Sequence, residues 1–150
     1  MTVVVRRATL ADVDVVSALF DSYRMFYDQP SNRTLALDFI GERLQRDESV
    51  ILLVERDGRA VGFTQLFPSF SSVSAGRAWI LNDLYIDQSA RRVGAARALL
   101  QAAVEFARGT GALRLELETD HDNQPAQELY RSLGWQSYEG TLRFRLSLRP

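Results

Sequence analysis

The sequence predicts an α/β (α+β) domain over residues 1–150, built on a mixed, mostly antiparallel sheet of about 6–7 strands with helices on both faces. Three observations carry this. The patterns run in the order β-α-α-β-β-β-α-β-α-β-β along the chain. Hairpin signals lie towards both ends, and helical segments in the middle supply the crossovers. The 150 residues, 46% apolar and 25% charged, have the size and balance of one ordinary globular domain with a real core.

Each element has its own warrant. Val3-Val4-Val5 is a short β-branched strand. Thr9-Leu10-Ala11-Asp12 opens a helix like a capping box, with Asp in the fourth place. Val13, Val16, Phe20, Tyr23 and Tyr27 then recur at helical spacing. Pro30 stops this helix near Asp28-Gln29, because proline biases the preceding residue away from helical geometry. Ser31-Asn32 begins a second helix with Leu35, Phe39, Ile40 and Leu44 on one side. Val50 to Val54 is unbroken apolar, a strand buried on both faces. Asp57-Gly58 makes a tight turn, and Ala60 to Phe67 returns as the partner strand. Pro68 to Arg77, rich in Ser and Gly, reads as a loop. Ala78 to Ile86 is the next strand. A helix follows from near Val93 through Ala107, with Ala96, Leu99, Leu100 and Ala103 facing the core and Gly109 and Gly111 closing it. Leu113, Leu115 and Leu117 alternate with Arg114, Glu116 and Glu118, a strand with one polar face. Asp122-Asn123-Gln124-Pro125 opens a last helix, which Gly134 ends. Trp135 to Tyr138 and Thr141 to Leu148 read as two terminal strands.

Composition removes several classes of function. The net charge is −1, so neither nucleic acid nor an anionic membrane is expected as a partner. No run of about 20 apolar residues and no signal-peptide pattern occurs, and the cytoplasm is the expected location. Cysteine is absent, which excludes disulfides and thiolate chemistry. One histidine, His121, cannot build a His-rich metal site, so no metal is expected.

The chain is organised around Ile80 to Leu100. An apolar strand ends at Ile86, a polar elbow follows, and then Arg91-Arg92-Val93-Gly94-Ala95-Ala96 leads into a helix. A helix that starts on small residues leaves its first N–H groups uncovered, and with the helix dipole these make an anion site. Arg91 and Arg92 add cationic donors. A pyrophosphate would fit there. Taken alone, the hexapeptide also suits a plain helix start with Gly and Ala for packing.

A second pattern lies downstream: Asn123-x-x-Ala126-x-x-Leu129-Tyr130-x-x-x-Gly134-Trp135. By itself it describes an amphipathic helix with Asn123 as cap and Tyr130 turned to the core. Together the two patterns resemble the GNAT superfamily of N-acetyltransferases. The first is similar to its R/Q-x-x-G-x-G/A loop, with Ala96 at the last place. The second is similar to its N-x-x-A-x-x-L-Y-x-x-x-G-F/W helix. The resemblance covers essentially the whole chain, most specifically Leu81 to Trp135. Tyr23-Arg24-Met25-Phe26-Tyr27-Asp28-Gln29-Pro30-Ser31 further resembles a run in the polyamine or histone acetyltransferase-like branch.

The resemblance implies a GNAT-type sheet with splayed central strands, and acetyl-CoA as cosubstrate. Its pyrophosphate would be held by Arg91, Arg92, Val93, Gly94, Ala95 and Ala96, with Asn123 a further contact. Its pantetheine arm would pair with the backbone of Leu84, Tyr85 and Ile86 in the gap before Leu113 to Thr119. A backbone N–H there would stabilise the developing oxyanion. Tyr130 would touch the cofactor and protonate the leaving thiolate. The reaction implied is transfer of an acetyl group to a primary amine of a small molecule, by direct attack in a ternary complex.

The proton acceptor is less defined. Asn82-Asp83 stands where members similar to polyamine acetyltransferases often carry Glu-Asp, and Asn82 cannot take a proton. Asp83 is the remaining candidate, to position the amine, to accept its proton through water, or to hold a nearby Arg. Strand alternation points it opposite to Leu84. Glu118 and Asp120 are further carboxylates nearby. Tyr23 and Tyr27, with Asn82 and Asp83, suit an ammonium-bearing substrate; core or dimer-contact aromatics are the other reading. A homodimer is expected, with alternating Leu142, Phe144, Leu146 and Leu148 as the edge a second copy covers. The alternative function is a non-catalytic acyl-CoA-binding module.

Overall fold

Val3–Arg7 (β1), Val50–Arg56 (β2), Arg59–Ser71 (β3), Gly76–Ile86 (β4) and Arg114–Leu117 (β5) form one mixed sheet in the order β1-β2-β3-β4-β5. The computed structural model describes every residue except Met1 and Val93. β1 to β4 pair antiparallel in succession, and β4 pairs parallel with β5. The chain forms two compact units, Met1–Glu118 and Thr119–Pro150.

The sheet and three helices make the first unit: α1 (Val13–Phe26), α2 (Arg33–Gln45) and α3 (Ala95–Gly109). α1 and α2 cover one face, where Val16, Phe20, Ala36 and Ile40 pack against Ile51, Leu53 and Phe63. Val50, Leu52 and Val54 are buried too, so β2 has apolar cover on both faces, as its unbroken run implied. α3 lies against all five strands through a stripe that includes Leu99, Leu100, Ala103 and Ala107. Ala95, not the expected Ala96, is the buried alanine of its first turn. α2 buries Ala36 and Ile40, with Phe39 and Leu44 packed against the same cluster as expected, and of the expected stripe leaves Leu35 exposed. A short 3-10 turn, Leu10–Asp12, precedes α1, and the Asp12 carboxylate accepts the Thr9 N–H at 2.8 Å.

Pro68 to Arg77 is not a loop. β3 runs on to Ser71 and β4 starts at Gly76, so the two strands form a long hairpin. Proline is tolerated because the β2–β3 ladder ends at Val50 opposite Leu66 and Pro68 lies on an edge, where its missing N–H costs no ladder bond. Ser69 and Phe70 pair with Ala78 and Arg77 despite the loop-like composition.

In the second unit, α4 (Gln124–Ser132) is capped by Asn123, whose side chain accepts the Ala126 N–H at 3.2 Å. The two terminal strands expected from Trp135 to Leu148 are not formed among the described residues. The sheet therefore has five strands, not the six or seven expected. Alternation of Leu142, Phe144, Leu146 and Leu148 survives only as four exposed side chains. A period of two suits a strand, but a strand also needs a neighbour to take its N–H and C=O groups. Among the described residues no helix is long and apolar enough to cross a membrane.

Candidate active site

The sheet opens at β4. Its ladder with β5 runs from Ala78 opposite Arg114 to Leu81 opposite Leu117 and stops there. Asn82 to Ile86 continue without a β5 partner, because β5 itself ends at Leu117. On the other side, Gln65 of β3 pairs with Asp83 and Leu66 with Leu81, so Asn82 is an extra residue, a bulge. A bulge bends a strand and re-aims the side chains around it.

Below the bulge lies a buried polar chain. Asp83 is 2% exposed. Its Oδ2 accepts from Gln65 Nε2 at 2.6 Å, and its Oδ1 accepts from Asn82 Nδ2 at 2.8 Å. Gln65 is itself fully buried, and its Oε1 accepts from the Ser49 hydroxyl at 2.7 Å. The Thr64 hydroxyl donates to the Asp83 carbonyl at 2.7 Å. From α1, the Tyr23 hydroxyl donates to the Asn82 carbonyl at 3.3 Å and also hydrogen-bonds the Asp83 carboxyl. Burial pushes the Asp83 carboxyl above the usual carboxylate range, against the opposing pull of Asn82, Gln65 and Tyr23. The groups that act on it are the uncharged Asn82, Gln65 and Tyr23.

Aromatic rings surround this point on the α1 side. Tyr23 packs edge-on to Tyr27 at 5.1 Å, to Phe63 at 5.9 Å and to Tyr85 at 6.4 Å between ring centres. Arg91 joins them. Its Nε donates to the Ile86 carbonyl at 3.1 Å, and its guanidinium lies 5.6 Å from the Phe26 ring centre and 6.0 Å from that of Tyr85. Arg91 thus ties the elbow after β4 to the end of α1.

The helix start has the expected form. Gly94 is the cap of α3, in a left-handed conformation with φ +81°, and no side chain caps the helix. A Cβ at Gly94 would meet nothing within 4 Å, so conformation rather than space selects glycine. The Ala98 N–H donates to the Gly94 carbonyl at 3.0 Å, downstream of the Ala95 and Ala96 amides. Arg92, with φ +68°, is exposed. Val93 lies outside the described residues. A diphosphate suits this uncapped helix start, and an extended arm suits the unpaired stretch of β4.

The structure thus brings Tyr23, Tyr27, Asn82, Asp83, Tyr85 and Arg91 together, with Leu84 half-buried beside them. Asn123 and Tyr130 belong to the second unit. There Asn123 caps α4, and the half-buried Tyr130 ring lies 6.2 Å from that of Trp135. Glu118 and Asp120 are exposed. Among the described residues no group of three or more metal-binding side chains comes together. Ser49, Thr64 and Gln65 were missed from sequence. The available signal was polar residues inside or beside strands that otherwise read as buried.

Comparisons with known proteins bear on the family and the fold. Residues 14–135 match the family model described as acetyltransferase (GNAT) family. The chain is 42% identical over 144 residues to an uncharacterized N-acetyltransferase of Bacillus subtilis (strain 168), YhfO, across 96% of this chain and 97% of that protein. It is similar to the crystal structure of a probable acetyltransferase, with a TM-score of 0.91 and 41% identity, over 100% of this chain and 99% of that one. An aminoglycoside N-acetyltransferase solved in complex with CoA shares the fold, with a TM-score of 0.81 at 18% identity, over 97% of this chain and 95% of that one.

Proposed function

The chain belongs to the acetyltransferase (GNAT) family, an acyltransferase family that uses acetyl-CoA, and from that premise we propose that its acceptor is a primary amine of a small, cationic molecule. The observation that carries this is the end of the β4–β5 ladder at Leu81, directly before a buried carboxylate and a wall of tyrosines. The non-catalytic alternative, suggested by Asn82 and Ala96, is not favoured, since the relative matched over nearly the whole chain is named an N-acetyltransferase.

Acetyl-CoA is a substrate here. Its diphosphate would sit at the Gly94-Ala95-Ala96 helix start, where the cap position is a glycine without a side chain. Its pantetheine arm would pair with Leu84-Tyr85-Ile86. The amine nitrogen attacks the thioester carbonyl carbon, a C–N bond forms, the C–S bond breaks, and sulfur leaves as a thiolate. The amine must first lose a proton. Asp83 is too buried to meet it directly, so it would draw the ammonium by its charge and receive the proton through water. Tyr23, Tyr27 and Asn82 would line the acceptor side, and aromatic faces beside a carboxylate favour ammonium groups over neutral ones. Polyamines therefore stand beside amino acids and aminoglycosides as candidates. Tyr130 would protonate the thiolate, a role that rests on its place in the Asn123 to Trp135 motif.

The family match from residue 14 to 135 runs through both compact units, which supports reading 1–150 as one domain. Association into a homodimer through Leu142, Phe144, Leu146 and Leu148 accompanies this reading; light scattering at the mass of two chains supports it and a monomer mass opposes it. The activity is tested by thiol release from acetyl-CoA with spermidine, lysine and kanamycin. Release with any of these supports an enzyme. Tight acetyl-CoA binding without release across the panel removes the reading.

A further inference from the structure

Gln65 and Ser49 take no part in the chemistry described above, yet both are buried, and Gln65 links Ser49 to Asp83. A buried amide costs free energy unless its hydrogen bonds are met, so a glutamine inside an apolar strand needs a reason to be there. Here its two ends face different partners. The Ser49 hydroxyl donates to Oε1 at 2.7 Å, and Nε2 donates to Asp83 Oδ2 at 2.6 Å.

We propose that Gln65 and Ser49 are positioning residues for acetyl transfer: Ser49 fixes which way the Gln65 amide faces, and Gln65 thereby holds the Asp83 carboxylate in place. The proposal rests on the reading that Asp83 receives the acceptor's proton.

The direction follows from the donors. A primary amide has one end that donates and one that accepts. With Ser49 donating to Oε1, the N–H end must face Asp83, and an N–H favours the ionised carboxylate. The groups acting on this carboxyl are Gln65 from β3, Asn82 from β4 and Tyr23 from α1. None carries a charge, and only the Tyr23 phenol is titratable. Thr64 binds the Asp83 carbonyl instead.

The test is a carbon-13 NMR titration of the aspartate carboxyls in the ligand-free protein, with the Asp83 signal assigned by its loss in Asp83→Asn. Gln65→Met removes the N–H, and its Asp83 midpoint is expected to rise by about one pH unit, a tenfold gain in proton affinity. Ser49→Ala frees the amide and is expected to move the midpoint the same way by less. The acid limb of the kcat/KM profile, measured with the amine turned over fastest, should move with it while the KM for acetyl-CoA stays. Should Gln65→Met not fold, Ser49→Ala decides. Unchanged midpoints in the folded variants overturn the proposal. Full activity in Asp83→Asn overturns the reading of Asp83 instead, whatever the midpoints do.

Discussion

Leu81 of β4 and Leu117 of β5 form the last pair of their ladder, and everything assigned to catalysis on β4 follows Leu81 directly. Parallel strands that stay paired have no room for a ligand between them. Ending the pairing there leaves backbone groups of β4 to be met by something other than β5. The same point carries the Asn82 bulge, so the edge opens where Asp83 is turned towards Gln65 and Tyr23.

Tyr23→Phe removes one hydroxyl that holds the Asn82 carbonyl and Asp83. The loss of one such bond is worth about a fivefold change. The KM for the amine is expected to rise by about that factor, while the KM for acetyl-CoA is unchanged. Steady-state kinetics with each substrate varied in turn separates the two. A rise confined to acetyl-CoA would contradict the placing of α1 on the acceptor side.

Tyr130→Phe removes the proposed proton donor to the thiolate. Turnover is expected to fall by roughly a hundredfold or more, the usual span for loss of an acid–base group, with acetyl-CoA affinity retained. Undiminished thiol release in the variant would assign Tyr130 to packing.

Asp83 should make the protein less stable where it is ionised. Its carboxyl is raised in the folded state by burial, so its contribution is fully present below the unfolded-state value and is lost as pH rises through the folded one. Asp83→Asn, which cannot ionise, is expected to unfold at a higher temperature than wild type at pH 8 and to lose that advantage on acidification towards pH 4. Calorimetric Tm values across that range check it. A variant less stable than wild type at pH 8 would contradict the sign.

Asp12 works in the opposite sense. Arg6 binds both its oxygens, at 2.8 and 3.0 Å, and holds its carboxyl down to about 2. Its stabilisation is present above the unfolded-state value and disappears as pH falls towards 2. Asp12→Asn is expected to lower Tm at pH 7 and to match wild type near pH 2. A constant difference across that range would assign the effect to the Thr9 cap rather than to charge.

The elements whose periodicity was reinforced by capping or turn chemistry were legible in the sequence. Asn32, Asn123 and the Asp57-Gly58 turn marked boundaries that the structure keeps. Periodicity alone did less well. Leu142 to Leu148 alternates as a strand does, but no strand forms there among the described residues. Pro68 to Arg77 has a loop's composition, but Trp79 and Ala78 hold it in a hairpin. The site was legible in the same uneven way. Gly94, Asp83 and the tyrosines stood out because their residue types carry chemistry or conformation. Gln65 and Ser49 did not, because their part depends on a contact between strands that no spacing along the chain reveals.

The most direct test is isothermal titration of coenzyme A into the purified protein and into Gly94→Glu. Wild type is expected to give the heat of a single site. Gly94→Glu, which places a carboxylate and a strained left-handed residue at the start of α3, is expected to weaken binding by at least about tenfold. No heat with wild type, or equal affinity in the two proteins, would contradict the assignment of the α3 start and the open β4 edge as the seat of acetyl-CoA.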